Sequence, residues 1–305
     1  MELCAGFDIG GTQLKYGLVN TNGSVILDDS VDTPQRAEDL FPLFKKLLEN
    51  LSEPHRQSLQ AIGFGFPGIF NQQEQKIVQS PNYPSLDGKD LVPLLAPFID
   101  KPFFINNDAN LAAYGEYCVG AGKGTQSLVL LTIGTGVGSG IILNGQIWQG
   151  ACGFAGELGH SCVNPDGDRC ECGSRGCLET EVSAPKIVSL YRTFSLSKKD
   201  LSSEDVFLVA KKGDKAGLKA FAQAGYYLGI GLSQAINLLN PEKILLGGGV
   251  MESADYLLPP ALEEAKNRSY TASFECCCIE RTQLGNKAGF IGAALWARDN
   301  LKTPN

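Results

Sequence analysis

His160, Cys170, Cys172 and Cys177 fall within one short stretch, HSCVNPDGDRCECGSRGC. One imidazole and three thiolates make a complete donor set for a tetrahedral cation, and zinc takes such N and S ligands in closed structural sites. Four protein ligands leave no open position for an activated water, so this set argues against a zinc-dependent hydrolase. Cys162 is a spare thiol in the same stretch and a competitor for one ligand position. Glu157 and Glu179 bracket the loop, so a metal that fixes it also brings two carboxylates within reach of each other. The zinc then reads as scaffolding for a polar pocket.

Three glycine-rich turns are candidates for phosphate. They are Asp8, Gly10, Gly11 and Thr12 in DIGGT, Gly134, Thr135 and Gly136 in GTGVGSG, and Gly248 and Gly249 in LLGGGV. Where no Cβ intervenes, backbone N–H groups approach an anion closely, and Thr12 and Thr135 add hydroxyl donors, so together the turns resemble a triphosphate clamp. GxxxxGK[ST] is absent, and a strand rather than a helix follows the first two turns, so neither a Walker loop nor a Rossmann fingerprint is present. Asp8, beside bound phosphates, would hold Mg²⁺ directly or through water. Lys15 lies just beyond and has no assigned role. Asp108 is the carboxylate best placed for catalysis. It follows Asn106 and Asn107 at a strand's carboxyl end and is expected at the N-cap of a helix starting near Ala109. That position favours the ionised form, and a carboxylate there can take a hydroxyl proton while a phosphoryl group transfers.

The elements that must carry these residues follow from apolar periodicity. LCAGFDI and the run from Leu14 read as a hairpin broken by glycine, and a near relative returns at SLVLLTIGTGVGSGIILNG. Two such beginnings imply an internal duplication, hence two similar α/β domains facing one another across a cleft. Helices are predicted over 37–51, 203–212, 215–239 and 289–300, the last able to pack on either lobe. The run Cys276, Cys277, Cys278 is expected in a buried strand.

A chain of 305 residues with 43% hydrophobic and 19% charged residues buries a large core, and 36 glycines imply many tight turns. A net charge of −7 argues against nucleic acid or an anionic membrane as partner. No basic start followed by an apolar run and no stretch of about 18 apolar residues occurs, so the expected compartment is the cytoplasm. Ten cysteines in a chain of this length read as metal ligands and buried thiols rather than disulfides.

With DIGGT, the Asn-Asp-Ala-Asn of 107–110, GTGVGSG, GELGH, CECGSRGCLE and LLGGGV all in order, the chain resembles the ROK family of sugar kinases and repressors over nearly its whole length. The resemblance implies an α/β, two-lobed actin-like ATPase (ribonuclease H-like) fold with a cleft between the lobes. The expected lobes are 1–117 plus 290–305, and 118–289 carrying the zinc loop. It also implies transfer of phosphate from ATP, with Mg²⁺, to a hexose hydroxyl, typically O6, in a homodimer or homotetramer. Residue by residue, Asp108 would be the general base, and Asn107, Glu157, His160 and Glu179 would hydrogen-bond the sugar, with Gly68 and Asn82 also lining its site. His160 would then use one ring nitrogen for zinc and the other for sugar.

Two departures stand out: Lys287 replaces the acid usual in LGNxAG, and YPSLDG replaces a tryptophan-containing stretch common in glucokinases. Glucose is favoured on the family's frequency. Fructose, mannose, N-acetylglucosamine and N-acetylmannosamine would draw on the same polar residues. Repressors of the family carry a winged helix-turn-helix ahead of the DIGGT strand; here that strand begins by Leu3, and a DNA-binding repressor is not expected. A sugar sensor without turnover is the remaining alternative, and its mark would be a lost Asp108.

Overall fold

The computed structural model describes residues 1–196 and 201–301. Residues 302–305 of the expected first lobe, and 197–200 of the second, lie outside the described residues. In chain order the elements are β1 (Leu3–Ile9), β2 (Gln13–Asn20), β3 (Val25–Asp32), α1 (Ala37–Glu49), α2 (Glu53–Ser58), β4 (Leu59–Phe66), β5 (Ile69–Asn71), β6 (Lys76–Gln79), α3 (Val92–Leu95), β7 (Phe103–Asn107) and α4 (Asp108–Val119). There follow β8 (Leu128–Ile133), β9 (Val137–Leu143), β10 (Gln146–Ile147), α5 (Leu178–Val182), α6 (Ala184–Ser195), α7 (Ser203–Lys211), α8 (Lys215–Leu239), β11 (Lys243–Gly247), α9 (Ala254–Arg268), α10 (Thr271–Cys276), β12 (Cys278–Arg281) and α11 (Ala288–Leu301). The chain divides into two compact units: Met1–Gly124 with Gly140–Gly156 and Gln283–Asn305, and Thr125–Ser139 with Glu157–Thr282.

The first unit is built on a mixed sheet of order β3-β2-β1-β4-β7. β1 and β4 are apolar on both faces because both are covered, the pattern of central parallel strands. On one face α1 presents Leu40, Phe41, Phe44 and Leu47, and Phe44 meets Phe7 and Phe64 with ring centroids 5.1 and 4.8 Å apart. On the other face α11 lies directly on the sheet: a Cβ at Gly63 would overlap the carbonyl of Ala293. This contact settles the packing of the terminal helix, which the apolar pattern alone left open. The edge strand β3 carries Asp28, Asp29 and Asp32, charges that discourage edge-to-edge pairing.

The second sheet has the order β10-β9-β8-β11-β12, with β11 parallel to both β8 and β12. β8 and β11 are fully buried runs of Leu, Val and Ile, and α8 buries Phe221, Leu228 and Leu232 beside α9. The helix predicted over 215–239 is α8 residue for residue; an aspartate at its start, Asp214, accepts from Gly217 N, and Asn240 ends it in the left-handed region. The cysteine run corrects an expectation. Cys276 closes α10 and is exposed, Cys277 is partly buried, and Cys278 is exposed at the start of β12, because that strand lies at the sheet edge. All ten cysteines are free. Among the described residues, no helix is long and apolar enough to cross a membrane.

Candidate functional site

In the second unit the ligand atoms of His160, Cys170, Cys172 and Cys177 all lie within 4.8 Å of one another, so the set can hold a metal ion. Cys172 Sγ is 3.6 Å from Cys177 Sγ, and His160 Nδ1 is 3.6 Å from Cys170 Sγ. With metal–sulfur bonds of about 2.3 Å, the edge of a tetrahedron is about 3.8 Å, so the donors already stand near the separations zinc requires. Burial pushes the Cys177 thiol up to about 12, a group that holds its thiolate form only beside a compensating cation. The donor chemistry and the spacing both fit zinc. Cys162 is exposed and outside this set.

His160 ends a short 3₁₀ turn, Leu158–His160, which places its Nδ1 toward Cys170 and its Nε2 3.9 Å from the Glu157 carboxylate. Glu179 sits in the first turn of α5; its Oε2 accepts Val137 N at 2.9 Å, and its Oε1 lies 4.0 Å from Cys170 Sγ. Partial desolvation holds Glu157 above the ordinary carboxylate range, His160 pulls it down, and the charge of Glu179 adds to the rise. The structure thus brings Glu157, His160 and Glu179 together beside the cysteine set. Such a group can accept hydrogen bonds from several adjacent hydroxyls.

Two of the glycine turns also belong to this unit. Gly134 N donates to Gly136 O at 2.9 Å, Thr135 is exposed, and a Cβ at Gly136 would lie 2.5 Å from Glu179 Oε2. Gly248 has φ +88°, and a side chain there would overlap Ile133 O at the end of β8, so the turns after β8 and β11 lie side by side. Gly249 has open space where a Cβ would be. These are backbone surfaces that an anion can approach closely.

In the first unit, Gly10 N donates to Gln13 O at 3.1 Å to close the β1–β2 turn, with Gly11 and Thr12 exposed. Asn82 stands beside Gly11: its Nδ2 is 3.4 Å from where a Gly11 Cβ would be. Asp8 faces Lys15 across the hairpin, and burial pushes its carboxyl to about 6 while Lys15 pulls it down. Gly289 passes Asp8 so closely that a Cβ would overlap the carboxylate. Asp8 is partly buried; its carboxylate can attract a cation such as Mg²⁺, in competition with the charge of Lys15.

Asp108 needs one correction. The N-cap of α4 is Asn107, whose Oδ1 accepts Asn110 N at 3.0 Å, and Asp108 is the first helical residue. The Asn107 side chain out-competes Asp108 for the cap because its Nδ2 is simultaneously tied to Gly68 O at 2.9 Å. Gly68 has φ +105°, and a Cβ there would overlap Gln79 O, so this partner must be glycine. Asp108 itself is half-buried and its Oδ1 accepts Ala109 N at 2.8 Å. Beneath it lies a pair not assigned from sequence. Buried Asn106 accepts Asn107 N at 2.8 Å and Asn110 Nδ2 at 3.3 Å. Asn110 is visible in the Asn-Asp-Ala-Asn run, whereas Asn106 has no distinguishing signal. Glu116 was missed as well: fully buried, it accepts Ala121 N, Gln283 N and Leu284 N, binding the loop after α4 to the segment before α11. Lys287 pairs with Asp28 of β3, a role for the lysine within the first unit.

The ROK family model matches residues 4–300. The chain is 35% identical to a glucokinase of Halalkalibacterium halodurans over 94% of this chain and 92% of that protein. It is 31% identical to the xylose repressor of Bacillus subtilis over 94% of this chain and 74% of that protein. The crystal structure of a ROK family glucokinase from Streptomyces griseus in complex with glucose and AMPPNP superposes with a TM-score of 0.82 at 30% identity, covering 97% of this chain and 99% of that one. The fold is the two-lobed actin-like ATPase fold of those kinases, and the chain belongs to the ROK family.

Proposed function

We propose that this chain transfers the γ-phosphoryl group of ATP to a hexose, with O6 the acceptor and glucose the favoured sugar. It is an ATP-dependent sugar kinase. Asp108 takes the proton of the attacking hydroxyl as the new O–P bond forms and the bond from the γ-phosphorus to the β-γ bridging oxygen breaks, releasing ADP. Asn107, Glu157, His160 and Glu179 hydrogen-bond the sugar's other hydroxyls, with Gly68 and Asn82 completing its contacts. The turns holding Gly10, Gly11, Thr12, Gly134, Thr135, Gly136, Gly248 and Gly249 contact the nucleotide, and Asp8 holds Mg²⁺, which when bound neutralises phosphate charge. His160, Cys170, Cys172 and Cys177 hold zinc, which when bound fixes the loop between His160 and Cys177.

The observation that supports this reading most is the orientation of His160. One ring nitrogen faces the cysteines and the other faces Glu157, with Glu179 alongside, so a structural metal and a polyhydroxyl ligand can share one imidazole. We place the enzyme in the cytoplasm as a homodimer or homotetramer. ADP release from Mg-ATP, measured on zinc-replete protein with hexoses and N-acetylhexosamines, tests the reading. Turnover with a hexose that disappears in Asp108→Ala is expected. Sugar binding without turnover across the panel would overturn the kinase in favour of a sensor, and turnover confined to an N-acetylhexosamine would overturn the choice of glucose.

A further inference from the structure

Between His160 and Cys170 the chain makes an excursion through 163–168 that supplies no metal ligand, yet its ends must arrive within a few ångströms of each other. Backbone pairing closes part of it: Asn164 N donates to Gly176 O at 3.1 Å, and Gly176 N to Asp168 O at 2.8 Å. Arg175 Nη1 adds a bond to Gly167 O at 3.2 Å, and the side-chain anchors at Asn164 and Asp168 depend on a carboxylate that the phosphoryl transfer does not use. Glu181 of α5 is 1% exposed and projects under the excursion. Its Oε1 accepts Asn164 Nδ2 at 3.0 Å, and Gly167 passes over the same oxygen so closely that a Cβ would overlap it. Lys186 of α6 lies 3.4 Å from the other oxygen of Glu181 and donates to Asp168 Oδ2 at 2.7 Å. One buried carboxylate therefore anchors the excursion directly at Asn164 and, through Lys186, at Asp168.

Burying a carboxylate and an ammonium carries a desolvation cost that apolar residues would avoid, and pairs of this kind are retained in some proteins because they select one conformation. We propose that Glu181 and Lys186 are positioning residues of the metal set, holding the excursion in register so that His160 and the three cysteines converge before a cation arrives. The inference rests on the zinc assignment above. It predicts that the pair governs metal affinity even though neither side chain touches the metal.

The test uses full-length protein loaded with zinc, and reads affinity by competition with a chromophoric chelator together with the visible spectrum of the Co²⁺-substituted form. Glu181→Ala should weaken zinc binding by about 10- to 100-fold, the range found when groups supporting metal ligands are removed. Glu181→Gln, which keeps an acceptor for Asn164 but loses the charge, and Lys186→Met should each weaken it by a smaller factor. Should Glu181→Ala fail to fold, the latter two variants carry the test. Wild-type affinity and an unchanged tetrahedral Co²⁺ spectrum in the folded variants would overturn the proposal, as would lowered thermal stability without loss of affinity. A wild-type protein that retains no zinc would overturn the zinc assignment and this inference with it. A zinc-binding wild type with equally tight variants overturns this inference alone.

Discussion

The first turn of α4 and the loop from His160 to Cys177 both gather polar side chains, by opposite means. Asp108 leaves a regular strand-to-helix junction, and its direction follows from backbone hydrogen bonds, the Asn107 cap and the Asn106–Asn110 pair. The metal loop has one short 3₁₀ turn and two isolated bridges, Cys162 with Cys177 and Arg169 with Arg175, and it turns at Gly173 and Gly176 with positive φ. A regular junction positions a side chain without any ligand. An irregular loop relies on side-chain cross-links, within itself and to Glu181 and Lys186 of the helices that follow it, so its polar groups would respond to a metal that the helix start does not sense.

The largest effect expected from this contrast is catalytic. Asp108→Ala should lose at least about a thousandfold in turnover while sugar affinity, measured calorimetrically, stays within a few-fold, because the proposed base is removed while the Asn107 cap and the Asn106–Asn110 pair remain. Turnover within tenfold of wild type would break the base assignment. On the other side of the comparison, removing zinc by chelation, or Cys172→Ser, should weaken sugar binding by about 10- to 100-fold through Glu179 and His160. Reloading zinc should restore the stripped wild type but not the variant; unchanged Michaelis constants in metal-free protein would refute the coupling.

Asp8 combines the two regimes, a partly buried carboxylate on a regular strand that can attract a cation. Its carboxyl titrates at about 6 rather than 3.8, so in the absence of a cation the folded state binds that proton more tightly than the unfolded chain. Stability from this group is therefore greatest below pH 3.8, falls as pH rises toward about 6 and stays low above, with a ceiling of about 3 kcal/mol. Without Mg-ATP, Asp8→Asn should gain about 1 to 2 kcal/mol over wild type at neutral pH, a gain that vanishes near pH 4. Denaturant midpoints that track each other across pH would remove the desolvated-carboxylate account. The smallest effect concerns the cap: Asn107→Ala should cost about 1 kcal/mol in unfolding free energy, and Asn107→Asp less, since aspartate also accepts Asn110 N. Equal losses in both would shift the weight of the junction from the cap to the Gly68 contact.

The amino-acid sequence by itself determined the candidate donor set and several of the elements. Histidine and cysteine types at short spacing name a set that could hold a metal ion, and glycine beside apolar runs places the β1–β2 and β8–β9 hairpins, because both signals are local. Periodicity likewise gave α8 its bounds, and the structure adds the caps at Asp214 and Asn240. Other features depended on groups distant in the chain. Only the tertiary structure placed Asn107 rather than Asp108 at the cap, since the deciding contact is to Gly68, on a different strand connection. It moved Cys278 from an expected core strand to a sheet edge, because exposure is set by what packs against a strand and not by its composition. It also revealed Glu116 and Glu181 as buried carboxylates: each is one acid among 33, marked in sequence by nothing, and made structural by the backbone amides or side chains that the fold brings to it.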